Sequence, residues 1–217
     1  CPENIGAAAF LHKNKKNIKK KVKAGYIINC VGHGQEINYK KSRLGNSLSD
    51  RAALNVIRYS NKKYFIHDFA PWGSDERQFC SPGFNLPIGL IMRKMFDGFR
   101  EYHTSLDNEK FISFSTIIDS LKLYLETIQT IENNFIPIAK IQYGTPQLSK
   151  SKIPLYRNKM NWKVKKMEDE TKVMLEILNY SDGKMDLIDI ANARKFKLVN
   201  HLELIKKLLK SGYLKKK

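Results

Sequence analysis

Residues that could support hydrolytic chemistry are concentrated in the middle of the chain. One histidine and six carboxylates lie between positions 68 and 107: Asp68, Asp75, Glu76, Asp97, Glu101, His103 and Asp107. Imidazole nitrogens and carboxylate oxygens are ligands that Zn²⁺ commonly takes in hydrolytic sites. A simpler interpretation is a lone histidine that forms ordinary hydrogen bonds in a loop. The residue types alone leave both alternatives open.

Short apolar runs predict the elements that would position these side chains. Strands are expected in AGYIINCVG, KKYFIHDFAP and LPIGLIMR, and helices in residues 5–11, in SLSDRAALNVIRYSN and in FSTIIDSLKLYLETIQTIENN. Ser49 is the expected N-cap of the second helix, and residues 13–23 are expected to be a charged, exposed connection or helix face. On the long helix, one apolar side is expected to contain Ile117, Leu121, Tyr124, Leu125 and Ile128.

This succession of strands and helices predicts an α/β fold with a mainly parallel sheet. In such folds, chemistry takes place in the loops beyond the carboxyl ends of the strands. The segment GSDERQFC at 73–80 follows the strand expected at 65–69 and has no regular period of its own. We therefore expect this loop to belong to the functional site.

The composition changes after residue 134. Residues 1–135 are expected to form the α/β domain, and the proline-containing segment 136–168 is expected to be a linker or an arm wrapping the core. Residues 169–217 read as three short helices followed by a strand, which is typical of a winged-helix domain. That fold does not by itself imply DNA binding, so a structural or protein-contacting role is the favoured alternative.

The net charge of +18 is unevenly distributed along the chain. Residues 1–63 contain 14 basic and 3 acidic side chains, residues 64–134 contain 6 and 10, and residues 135–217 contain 19 and 8. Most of the basic residues are lysines, which favours a solvated surface over a nucleic-acid interface, although nucleic acid remains an alternative. The three cysteines lack metal-site spacing, and no apolar run is long enough to span a bilayer. We expect a cytoplasmic protein with no membrane contact.

Several motifs together resemble a known enzyme family. GSDERQF, GFNLPIG and the later EYHTSLDN resemble the end of the catalytic domain of di-zinc aminopeptidases of the zinc exopeptidase clan. With PENIGAAAFLHKN, AGYIINCVG, YKKSRLGN and the winged-helix-like tail, the chain is similar to the C-terminal portion of uncharacterised bacterial aminopeptidase-like proteins. The resemblance implies a phosphorylase/hydrolase-like three-layer α/β domain lacking its N-terminal part.

The resemblance also implies roles for particular residues. Glu3 matches an acidic position that serves as a catalytic group or zinc ligand, and His103 matches a histidine ligand. Asn29 stands where the clan has an aspartate ligand, so His33 is a candidate for an altered ligand set. Asp75 and Glu76 would act in catalysis, and Asp75 would also hold the substrate amine. Arg77 would bind substrate or pair with Glu76.

The activity implied is zinc-dependent hydrolysis of a peptide N-terminus or a small amide. In the clan, one histidine ligand and the bridging aspartate precede the position of Glu3, so this polypeptide alone is expected to be inactive. The alternative is a non-catalytic binding protein that keeps the peptidase fold, with its basic tail contacting nucleic acid or a protein. Homo-oligomerisation is left open.

Overall fold

The computed structural model describes residues 2–148, 151 and 165–217. The chain forms two compact units, Cys1–Ile131 and Glu132–Lys217. The helices and strands of the first part of the chain are α1 (Ile5–Lys21), β1 (Gly25–Ile28), β2 (Ile37–Lys40), α2 (Leu48–Ile57), β3 (Tyr64–His67), α3 (Glu76–Phe79), β4 (Ile88–Met92) and α4 (Phe114–Glu132). Within the described parts of the chain, every helix is either too short or too polar to cross a bilayer.

The four strands form one sheet in the order β1, β4, β2, β3. The pairs β1 with β4 and β2 with β3 are parallel, whereas β2 and β4 are antiparallel. The prediction of an α/β fold with a mainly parallel sheet is confirmed. Strand β2 was not predicted, and it reverses the direction of half the sheet. Strands β1 and β3 therefore run in opposite directions, and their carboxyl ends lie at opposite ends of the sheet.

Helices pack on both faces of this sheet. Residues of α2 and α4, including Val56 and Leu123, form a core cluster with Ile91 of β4. Leu11 and Ile18 of α1 form another cluster with Ile88. Ile88 and Ile91 are three positions apart in one strand, so their side chains point to opposite faces.

Two helix boundaries differ from the sequence predictions. Helix α1 continues to Lys21 instead of ending at residue 11, because buried Leu11 and Ile18 anchor both of its halves. The N-cap of α2 is Ser47, whose side chain and Asp50 form a capping box, and not Ser49. The Ser49 hydroxyl instead accepts a hydrogen bond from the Gly25 N–H at 2.9 Å and donates one to the Pro87 carbonyl.

The apolar side predicted for α4 is only partly buried: Tyr124 is buried and Ile117 half-buried, but Leu121, Leu125 and Ile128 are exposed. The buried residues of the helix include Thr116, Ser120, Leu123, Tyr124, Thr127 and Thr130. Five large apolar residues at spacings of four and three are exposed instead: Phe114 (76%), Ile118 (51%), Leu121 (55%), Leu125 (49%) and Ile128 (47%). We call this set the α4 apolar face. Hydroxyl groups can face the core here because each of Ser120, Thr127 and Thr130 donates to a carbonyl one turn earlier.

The second unit contains β5 (Pro137–Ala139), α5 (Lys165–Tyr180), α6 (Leu187–Arg194), a short 3-10 turn (Leu198–His201), α7 (Leu202–Lys210) and β6 (Leu214–Lys216). Strands β5 and β6 pair antiparallel. The three helices and final strand agree with the winged-helix prediction. Residues 137–139, expected in the linker, are instead a strand of this unit. Residues 149, 150 and 152–164 of the predicted linker lie outside the described residues.

Candidate functional site

The loop at 73–80 starts with a glycine that no other residue could easily replace. Gly73 has φ +113°, and a Cβ there would lie 2.8 Å from the Phe96 ring and 2.9 Å from Oε1 of Glu76. Both the backbone conformation and the crowding therefore favour glycine. The chain leaves β3 at one end of the strands. This turn redirects it towards the opposite end, where β1 has its carboxyl end.

At the carboxyl end of β1, hydrogen bonds connect three side chains. The Ser74 hydroxyl donates a hydrogen bond to Oε1 of Glu3 and accepts one from Nδ2 of Asn29 at 3.1 Å. Asn29 directly follows β1, and its Oδ1 accepts from the backbone N–H of Cys30 at 2.8 Å, which fixes the orientation of the amide. Ser74 is buried, whereas Glu3 is exposed. The site therefore presents a fixed carboxylate to solvent.

A second contact joins the same loop to the start of α1. The backbone N–H of Asn4 donates to Oδ1 of Asp75 at 2.6 Å, and Oδ1 of Asn4 accepts from Nε of Arg77 at 2.8 Å. Asn4 itself adopts φ 62° and ψ −56°, the conformation of a γ-turn with positive φ, in which the Ile5 N–H donates to the Glu3 carbonyl at 2.7 Å. Asp75 and Arg77 are thus held beside Glu3 by one residue. No contact among the described residues uses Oδ2 of Asp75.

Glu76 has a different environment from its neighbours. Its side chain is fully buried and forms an ion pair with Lys40 of β2, with 2.7 Å between Nζ and Oε1. Lys40 also donates to the Trp72 carbonyl. Oε2 of Glu76 has no hydrogen-bond partner among the described residues. The predicted ion pair between Arg77 and Glu76 is wrong. Glu76 instead pairs with Lys40, and Arg77 instead donates a hydrogen bond to Asn4.

Further polar residues surround the end of β1. Burial, followed by the negative charges of Asp107 and Glu3, raises the pKa of the Cys30 thiol to about 11. Burial also raises the pKa of the Tyr102 hydroxyl, and Glu3 is among the neighbouring charges that add to this effect. Glu3, Cys30 and Tyr102 therefore lie within electrostatic reach of one another, and Asp107 lies within reach of Cys30. The site combines the first helix, the end of β1 and two separate loops.

The two predicted histidine ligands lie in aromatic stacks. The His33 ring stacks on Phe111 with 4.1 Å between centroids, and the exposed His103 stacks on Tyr102 at 4.0 Å. Among the described side chains of residues 2–148, 151 and 170–217, no group of three His, Cys, Asp or Glu residues could hold a metal ion. Glu3, His33 and His103 therefore do not form such a group by themselves, and their ligand roles stay predictions.

Three residues that organise this site were not predicted from the sequence: Asn4, Lys40 and Ser74. Each acts through a partner distant in sequence, so no local pattern identified it. The only available signal was the glycine and serine immediately before Asp75 in the motif.

Comparisons with known proteins agree with the two units. Residues 1–134 match the family described as "Domain of unknown function (DUF4910)", and residues 137–216 match the family described as "winged helix-turn-helix". The winged-helix prediction is thereby confirmed.

Two similar proteins come from Clostridium acetobutylicum. One, named "Putative polysaccharide biosynthesis protein with aminopeptidase-like domain", is 41% identical over 191 residues, which are 88% of this chain and 43% of that protein. The other is a crystal structure of a "putative peptidase", with a TM-score of 0.87, 36% identity, and coverage of 100% of this chain and 47% of the other. This chain thus spans less than half the length of either relative.

Proposed function

We propose, from the premise that this chain belongs to the family described as domain of unknown function DUF4910, that residues 1–134 contribute to an aminopeptidase-like hydrolase. The names of the two relatives support a peptidase-like function. The observation that carries the proposal is the Ser74 hydroxyl, which joins Glu3 to Asn29 at the carboxyl end of β1. The proposed substrates are peptides with a free N-terminus or small amides.

Glu3 is the proposed general base. A carboxylate that is exposed but fixed by one hydrogen bond can accept a proton from an attacking water while its position is maintained. Its second oxygen remains available to that water.

Asp75 is the proposed partner of the substrate amine. Asn4 fixes one carboxylate oxygen of Asp75, and the other can accept a charge-assisted hydrogen bond from an ammonium group. Arg77, held by the same asparagine, adds positive charge beside the reacting carbonyl. The buried ion pair between Glu76 and Lys40 holds the loop against β2.

Zinc dependence and a cytoplasmic location are further proposals. Zinc is supported by the resemblance of the motifs around Asp75 and His103. No catalytic step is assigned to zinc, because the described ligand candidates do not converge. A cytoplasmic location is supported by cysteines without disulfide or metal spacing.

The test is hydrolysis by the protein that carries this chain at its natural length. N-terminal residues released from unblocked peptides would be measured by chromatography, with N-acetylated peptides as unreactive controls. Glu3→Gln should lower kcat/KM by roughly 10²- to 10⁴-fold. The matched control is Glu109→Gln, at an exposed position, which should leave the rate unchanged. Equal rates for wild type and Glu3→Gln would exclude Glu3 as the base.

A second candidate function is nucleic-acid binding by the winged-helix unit. The specific observation is the family match of residues 137–216, together with the exposed Lys207 and Lys210 on α7. For a DNA duplex, the double substitution Lys207→Ala/Lys210→Ala should reduce the slope of log K against log salt by about 2. The control is Lys15→Ala/Lys16→Ala on α1, which makes the same change in net charge. Equal loss in both variants would indicate non-specific attraction.

A further inference from the structure

An open cavity of about 560 Å³ lies in the first unit, and Arg77 connects it to the neighbourhood of the Glu3–Ser74 contact. Its lining comes from the segments after β2 and β3 and from the region of α3: Arg43, Phe69, Pro71, Arg77, Gln78, Cys80, Ser81 and Pro82. Its volume is within the range of cavities that hold small ligands. Because β2 and β3 run antiparallel to β1, the segments that follow β2 and β3 start at the end of the sheet opposite to Asn29.

The charged residues lining the cavity are both arginines. Nε of Arg77 is bound to Asn4, which fixes the guanidinium and leaves its terminal nitrogens available. In the described part of the chain, neither Arg43 nor Arg77 forms an ion pair with a carboxylate. The cavity therefore has an uncompensated positive charge.

Two nearby carboxylates are already paired with lysines, and Asp75 contacts the Asn4 backbone and forms no ion pair with either arginine in the described residues. Asp68 is paired with Lys41 at 2.8 Å, and Glu76 is paired with Lys40 at 2.7 Å. The neutral polar groups Gln78 and Ser81 can donate hydrogen bonds to an anion.

The remaining walls are apolar. Phe69, Pro71 and Pro82 provide ring surfaces, and Lys40 Nζ lies 5.5 Å from the centroid of the Phe69 ring. These walls favour the hydrocarbon part of a ligand over a fully hydrated ion. A singly charged anion suits such walls better than a dianion, because desolvation of charge is costly.

We propose that this cavity binds a carboxylate attached to an aliphatic or aromatic group. Arg43 and Arg77 bind the carboxylate, for which the planar guanidinium fork is well matched. The rings of Phe69, Pro71 and Pro82 contact the apolar part. The site shares Arg77 with the proposed hydrolytic site, but binding of the carboxylate requires no hydrolysis.

The test uses the protein that carries this chain at its natural length and three probes that share one ring: 3-phenylpropionate, its amide 3-phenylpropionamide, and phenyl phosphate. Binding would be measured by calorimetry and by chemical-shift changes. We expect 3-phenylpropionate to bind at least tenfold more tightly than the amide, because the amide lacks the charge. Equal binding of the acid and the amide, or tighter binding of phenyl phosphate, would overturn the proposal.

Two variants locate the site. Arg43→Ala and Arg77→Ala should each weaken 3-phenylpropionate binding about tenfold or more, while amide binding should change little. Arg43 is exposed and has no described contact through its side chain, so its removal should leave the fold intact. Arg58→Ala, at an exposed arginine outside the cavity lining, is the matched control. Unchanged binding in Arg43→Ala, or an equal loss in Arg58→Ala, would place the ligand elsewhere.

Discussion

Ser74 and Glu3 are 71 residues apart in the chain, yet the Ser74 hydroxyl donates a hydrogen bond directly to the Glu3 carboxylate. The same hydroxyl accepts from Asn29, so one buried side chain connects the first helix, the end of β1 and the loop after β3. This contact organises the proposed hydrolytic site.

Ser74→Ala should lower the free energy of unfolding by about 1–2 kcal/mol. The substitution removes the donor to Glu3 and leaves the Asn29 amide without its acceptor. Chemical denaturation would measure the loss. Ser105→Ala, at an exposed serine of the later loop, is the control and should change stability by less than about 0.5 kcal/mol. A stable Ser74→Ala protein would show that the contact does not maintain the site.

The neighbouring lysines 40 and 41 offer a direct comparison of buried and exposed ion pairs. Lys40→Met should cost about 3–5 kcal/mol of folding free energy, because it leaves the fully buried Glu76 unpaired. Lys41→Met should cost less than about 1 kcal/mol, because its partner Asp68 is 89% exposed. Urea denaturation of the two variants would measure the difference.

A double variant separates charge from packing at the same position. Lys40→Met/Glu76→Leu should recover much of the stability lost in Lys40→Met, because it removes both buried charges. If the double variant is as unstable as the single one, the loss comes from packing and not from an unpaired carboxylate.

Alkylation of Cys30 should be slow at pH 8 and accelerate as the pH approaches 11. The thiolate is the reactive form, and the raised pKa of about 11 keeps this thiol protonated at neutral and mildly basic pH. Peptide mass spectrometry after iodoacetamide treatment would follow Cys30 separately from the other cysteines. An unstructured cysteine peptide, with a pKa of about 8.5, is the reference. Reaction of Cys30 at pH 8 as fast as the reference would show that burial beside Asp107 and Glu3 does not raise the pKa of this thiol.

The α4 apolar face should tolerate polar substitution. Leu121→Lys/Leu125→Lys should change the free energy of unfolding by less than about 1 kcal/mol, because both side chains are half exposed. Binding of a hydrophobic dye should fall in this variant. Leu123→Ala on the buried face should instead cost about 2–5 kcal/mol. Thermal and chemical denaturation would test whether the two faces differ in this way.

The sequence by itself determined the local elements. Continuous apolar runs identified β1, β3 and β4, and the 3.6-residue period identified α4. The three helices and final strand of the second unit were recognisable because each has its own apolar periodicity and its own end signals. The irregular loop containing Asp75 also stood out as unusual from its composition.

Only the tertiary structure decided how these elements combine. The direction of β2, the burial of hydroxyl groups on α4 and the Ser74–Glu3 contact depend on residues far apart in the chain. Apolar periodicity shows that a helix has two faces, but local carbonyl acceptors allowed Thr127 and Thr130 to lie inward. Likewise, residue types nominated Asp75 and His103, and the family resemblance nominated Glu3. Chain reversal brought Asp75 beside Glu3 and left His103 stacked on Tyr102. These features depend on packing between residues that are far apart in the chain, so a local sequence pattern does not predict them.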